Sequence, residues 1–120
     1  MKLRILNQSV RFRLQRSEAA HLAVSGTLSA TTRLAGRDLT YRLEGAAQPA
    51  PSVSWDGNSL IVAIPSAELT SWAQSEEVGW YREIGDLAVT IEKDFQRTHV
   101  RTELDGDLYP NPRRSQPQPS

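Results

Sequence analysis

Apolar and polar positions alternate along most of the first 95 residues, and the alternation breaks twice for a short stretch with helical spacing. Residues 2–6 and 10–14 alternate strictly around Asn7-Gln8-Ser9, which predicts a β-hairpin. Ser17 is placed to cap a helix running to about residue 24, with Ala19, Ala20, Leu22 and Ala23 as its apolar stripe and Gly26 as its stop. Residues 27–34 and 38–44 then read as two strands around Ala35-Gly36-Arg37, and Gly45 to Ser52, with Pro49 and Pro51, as a linker. The same order follows again. Strands 53–55 and 59–64 flank Asp56-Gly57-Asn58, Pro65-Ser66 opens a helix to about Gln74, and strands 78–84 and 87–93 surround Gly85-Asp86.

Sliding residues 9–34 onto 59–84 makes the apolar positions coincide: Val10, Phe12 and Leu14 meet Leu60, Val62 and Ile64, and Leu22, Leu28 and Leu34 meet Trp72, Val78 and Ile84. If the next turn is shortened by two residues, Leu39 and Glu44 meet Leu87 and Glu92. Such self-similarity predicts a duplicated ββαββ unit over about 5–44 and 55–92. The expected fold class is α+β, with eight mostly antiparallel strands in a sheet or an open barrel and two short helices, each covering the sheet formed by its neighbours. After Phe95 the periodicity stops, and the Pro-, Gln- and Ser-rich end predicts one domain over 1–95 followed by an irregular to disordered tail, 96–120.

Charge narrows the functions open to this chain. Fourteen basic residues balance fourteen acidic ones, which argues against general electrostatic binding to nucleic acid or an anionic membrane. Cysteine is absent, so disulfides, thiolate nucleophiles and Cys-based zinc sites are excluded. The N-terminus alternates charge and apolar residues, unlike a signal peptide, and no apolar run reaches the length of a membrane helix. A soluble, cytoplasmic protein is expected.

The first hairpin carries the sharpest chemical expectation. A two-residue Asn7-Gln8 turn pairs Ile5 with Val10 and Leu3 with Phe12 on the core face, and Arg4 with Arg11 and Lys2 with Arg13 on the other. Like charges directly opposite destabilise a sheet, so acids of matching parity (Glu44, Glu92 and Glu83) or a bound oxyanion should compensate. The second hairpin has Ile61 and Ala63 where the first has Arg11 and Arg13, so the basic row belongs to one half. Asp94, His99, Glu103, Asp105 and Asp107 cluster after the last strand, but their spacing is not that of a calcium loop, and a solvated acidic segment is the ordinary reading. No metal site and no cofactor are expected. His21 fits a surface position on the first helix, Trp55, Trp72 and Trp80 fit the core, and Tyr81 points to the polar face, where it can stack on a ligand.

With Met1-Lys2-Leu3-Arg4-Ile5-Leu6, Ser9-Val10-Arg11-Phe12-Arg13-Leu14, Ile91-Glu92-Lys93-Asp94-Phe95 and Tyr109-Pro110-Asn111-Pro112, the chain resembles a family of short bacterial proteins known only as a domain of unknown function. That resemblance implies no activity. Relatives in it carry a cysteine shortly after the Glu-Lys-Asp-Phe run, where Arg97 stands here, so no thiol chemistry carries over. More loosely, paired hairpin–helix units with a charged face look like the triphosphate tunnel enzymes, although the first strand lacks that family's alternating glutamates. The leading expectation is a binding or interaction module without catalysis, presenting Lys2, Arg4, Arg11, Arg13, Arg42, Glu44 and Glu92 to a small anion or a protein partner. The alternative is an enzyme acting on a phosphorylated or other anionic small molecule at the same place, with Glu44 and Glu92 as metal or acid–base groups. An enzyme needs a concave pocket where acids and arginines converge, whereas a module can present a flat face.

Overall fold

The computed structural model describes residues 1–94. His99, Glu103, Asp105, Asp107, Phe95 and the tail 96–120 lie outside the described residues. Within them the element order is β1 (Lys2–Leu6), β2 (Ser9–Leu14), α1 (Arg16–Ser25), β3 (Thr27–Leu34), β4 (Arg37–Ala46), β5 (Ser52–Asp56), β6 (Ser59–Pro65), α2 (Ser66–Gln74), β7 (Gly79–Ile84) and β8 (Leu87–Lys93). This is the expected α+β class: two halves, each ββαββ.

The strands form two four-stranded sheets that do not close into a barrel, ordered β1-β2-β8-β7 and β3-β4-β6-β5. Each sheet therefore takes one hairpin from each half. The hairpins are antiparallel, but the two seams that join the halves, β2–β8 and β4–β6, are parallel. Each helix links one sheet to the other, so its neighbouring strands do not form the single sheet expected for it to cover. The seams carry equivalent registers. Val10, Phe12 and Leu14 pair with Val89, Ile91 and Lys93, and Leu60, Val62 and Ile64 pair with Tyr41, Leu43 and Gly45.

That register corrects the sequence overlay along β3 by two residues, so that Ile84 corresponds to Thr32 and not to Leu34. Leu28 pairs with Leu43, and Trp80 pairs with Ile91, so the partner of Leu28 in the second half is Trp80, not Val78. The turns themselves are both two residues long, Ala35-Gly36 and Gly85-Asp86. The difference lies in the strands, which are longer in β3–β4, and in the helix exits, where Gly26 alone leads to β3 but Ser75 to Val78 lead to β7. A shift of two keeps every side chain on its own face of a strand, so apolar phase matches under either alignment.

Fourteen buried residues form one core, centred on Phe12, Leu14, Val62, Ile64, Leu43, Val89 and Ile91 from the seam strands and on Leu22, Leu69 and Trp72 from the helices. Strand β6 is apolar on both faces: Leu60, Val62 and Ile64 enter the core, and Ala63 on the opposite face is buried as well. Trp72 and Trp80 are core residues as expected, but Trp55 is 63% exposed at the rim of β5, like its counterpart Ile5 on β1. Both sit on the outermost strand of a sheet, beyond the reach of the helices' apolar side chains.

The helices end differently. Helix α1 is capped by Gln15 and Glu18, not Ser17: the Gln15 N–H donates to the Glu18 carboxylate at 2.8 Å. It stops at Gly26, whose φ of 80° is accessible to glycine and whose N–H donates to the Leu22 carbonyl. Helix α2 has no such glycine. Lys93, from β8, instead donates to the Trp72 carbonyl at 2.9 Å and the Ser75 carbonyl at 2.6 Å, with its ammonium 4.9 Å from the Trp72 ring centroid.

Candidate functional site

The like-charged register of the first hairpin is present as expected: Lys2 faces Arg13 and Arg4 faces Arg11. The adjoining strands extend it into two rows across the whole sheet. One row runs Lys2, Arg13, Glu92, Gly79, and the next runs Arg4, Arg11, Thr90, Tyr81. Edge position and long side chains keep Lys2 and Arg4 exposed, while Arg11, Arg13 and Glu92 on the seam are half-buried.

Glu92 is the compensating acid. Its Oε1 lies 3.4 Å from Arg13 and 3.7 Å from Arg11, so one carboxylate serves two guanidinium groups. Lys2 stands 4.0 Å from Asp94, and among the described residues Arg4 has no ion-pair partner. Among the described residues the face thus places four cations against two carboxylates, an excess of positive charge. At one end Tyr81, 57% exposed, folds its ring over Gly79; a Cβ on Gly79 would stand 2.3 Å from that ring. A side chain at position 79 would displace the ring, whose exposed end is free to swing aside, and the backbone there has no positive φ.

Arg42 and Glu44 do not join this group. They lie on β4 in the other sheet and pair with each other at 3.7 Å. The rows equivalent to the basic rows read Ser52, Ala63, Glu44, Thr27 and Ser54, Ile61, Arg42, Ser29. One sheet therefore carries surplus charge and its counterpart is balanced. Glu44 and Glu92, the acids that an enzymatic reading would pair, stand in different sheets. Glu83 lies on β7 and makes no ion pair among the described residues.

A second group of side chains comes together between α2 and β7. A cleft of about 420 Å³ opens between α2 and β7, walled by Glu68, Trp72, Glu77, Trp80, Tyr81 and Arg82 among others. Glu68 accepts from Trp80 Nε1 at 3.1 Å and from Arg82 at 2.5 Å, and the Arg82 guanidinium lies 5.1 Å from the Trp80 ring centroid. Trp72 Nε1 is buried there with no hydrogen-bond partner. The signal for this cluster is Glu68 and Trp72 at i, i+4 on one helix face, with Trp80 and Arg82 at i, i+2 on one strand face. The charged residues of the two rows do not line the cleft, but Gly79 and Tyr81 at the ends of the rows do.

In the first half the helix position of Glu68 belongs to Glu18, which pairs with the Met1 ammonium. Burial pushes the Glu18 carboxyl upward, but the Met1 ammonium and the Gln15 N–H outweigh it and leave the group below the ordinary glutamate value. Among the described residues no group of three or more His, Asp or Glu stands together to hold a metal ion. Among the described residues no helix is long and apolar enough to cross a membrane. Neither a curated protein nor a solved structure matches the chain. One family model does, over residues 1–113, and the chain belongs to that family, the Family of unknown function (DUF7009).

Proposed function

We propose that this chain is a cytoplasmic, non-catalytic binding module built on one domain over residues 1–95, and that its working surface is the polar face of the β1-β2-β8-β7 sheet. Lys2, Arg4, Arg11 and Arg13 bind an anionic group on a small molecule or a protein partner. Glu92 holds the two half-buried arginines in a fixed spread, and Tyr81 offers a ring at the end of the row. Arg42 and Glu44, a self-compensated pair on the other sheet, take a secondary part. The observation that carries this reading is the surplus of cations over the carboxylates beside them. Paired guanidinium forks match the geometry of phosphate and carboxylate oxygens. The shared seam register and ββαββ order also support an internal duplication in which the basic rows were acquired by one copy.

Thermal denaturation against a panel of phosphate- and carboxylate-bearing compounds tests the proposal. A binding face gives stabilisation that grows with ligand concentration and fades with added salt. Arg11→Ala with Arg13→Ala abolishes that response and leaves the fold intact, because both side chains point away from the core. A double variant that responds like the parent, or a panel without any response, refutes it.

A further inference from the structure

Strands β1 and β5 occupy corresponding places in the two sheets, each at an outer edge and each hydrogen-bonded to one neighbour. Their sequences treat that edge in opposite ways. Strand β1 carries Lys2 and Arg4 on the face away from the core, and β5 carries Ser52 and Ser54 at the same two positions. Charged side chains on an edge strand guard it against pairing with another chain, and β5 has only one, Asp56 at its end. No proline, bulge or basic residue interrupts Ser52–Asp56, and Trp55 stands 63% exposed on it. Among the described residues nothing pairs with its outer edge.

We propose that β5 is a homodimer interface, at which a second copy of the chain adds its own β5 antiparallel across a two-fold axis. The strand is self-complementary in that arrangement. Centring the pair on Ser54 uses all five residues, places Trp55 against Val53 of the copy on one face, and sets Asp56 opposite Ser52. An aromatic ring beside a β-branched residue is a favourable cross-strand pair, and no like charges meet. The same operation on β1 brings Arg4 against Arg4 and is disfavoured. Ser54 lies next to Ile61 and Val53 next to Val62, so both faces of the joined strands rest on apolar neighbours. The product is an eight-stranded sheet with the two basic faces left free on the other sheets. An isologous contact of this kind closes at two copies. Five paired residues a side make it a small interface, and the dimer forms at high micromolar rather than nanomolar concentration.

The chain has no cysteine, so a single introduced thiol reports the geometry without background. Under mild oxidation the full-length Ser54→Cys protein forms a covalent dimer, whereas Ser52→Cys and Asp56→Cys cross-link efficiently only when mixed with each other. Arg4→Cys, at the corresponding place on β1, serves as the collision control. Sedimentation equilibrium of the unaltered chain shows a concentration-dependent dimer. Ser54→Arg, which gives β5 the residue β1 carries, weakens that dimer at least tenfold while circular dichroism stays unchanged. Cross-linking of Ser54→Cys no greater than that of Arg4→Cys overturns the proposal, as does an unaltered chain that stays monomeric to millimolar concentration.

Discussion

Lys93→Met removes one ammonium group and keeps a side chain of similar length and apolar character, so it isolates what the charge contributes at the end of α2. The ammonium makes two hydrogen bonds, but they do not count equally. The Trp72 carbonyl also accepts from the Ser75 N–H at 3.1 Å and the Ser75 hydroxyl at 2.8 Å, so it stays satisfied without Lys93. The Ser75 carbonyl has Lys93 as its donor at 2.6 Å and loses it. One charge-assisted bond of this kind is worth about 1.5–3 kcal/mol, and we take the low end because the site is only half-buried. Loss of the ammonium over the Trp72 ring adds about 0.5–1 kcal/mol. The expected destabilisation is therefore about 2 kcal/mol, or roughly 8–15 °C in Tm for a domain of this size. Urea titration measures the first quantity and a thermal scan the second. Amide hydrogen exchange adds a local readout, since protection should fall in the last turn of α2 and not in α1, which ends on Gly26. A cost below about 0.5 kcal/mol for Lys93→Met, beside a larger one for Lys93→Ala, refutes the reasoning by showing that the stem's packing, not the charge, secures this helix.

Two further outcomes follow from the paired glutamates. Glu18 titrates below the ordinary value in the folded protein, so its contribution to stability is present above pH 4.5 and is lost as pH falls through the lower folded pKa; Glu18→Gln should lower the neutral plateau of the Tm-versus-pH curve and meet the parent curve at low pH, which flattens the acid limb, and an acid limb as steep as the parent's would contradict this. Glu68→Ala strips the acceptor from the buried Trp80 Nε1 and should cost about 1 kcal/mol in urea titration, mostly through Trp80, since Arg82 is exposed enough to rehydrate.

Local order was legible in the sequence because hairpins and short helices are written in neighbouring residues. The Lys2–Arg13 and Arg4–Arg11 register followed from a two-residue turn and strand parity alone, and so did the need for an acid, which Glu92 supplies. Pairing between distant strands has no such local signature. Nothing in β2 or β8 separately specifies that they align in parallel, so Arg42 and Glu44 were grouped with residues of the other sheet because parity is blind to sheet membership. The same blindness allowed Leu28 to be matched to Val78 when the register selects Trp80. Trp55 fits the core by its position in the alternating pattern, but a tryptophan on an outermost strand has no layer above it. Glu68 escaped notice because a helix-surface glutamate is ordinary until a strand elsewhere in the chain presents an indole and a guanidinium to it.

The exchange of hairpins between the sheets also dictates when each sheet can form. The strands of β3-β4-β6-β5 are consecutive in the chain, and its seam joins residues as near as Thr40 and Ser59. The seam of β1-β2-β8-β7 joins residues such as Arg13 and Glu92, 79 positions apart. Loop closure of that length has little to offset its entropy until the helices and the nearer sheet are in place. During synthesis the first hairpin must wait, with Val10, Phe12 and Leu14 unprotected, until almost the whole domain has left the ribosome. The polar face inherits that delay: Glu92 reaches Arg11 and Arg13 only when the last strand docks, and until then the like-charged rows of the first hairpin lack the carboxylate that holds them together.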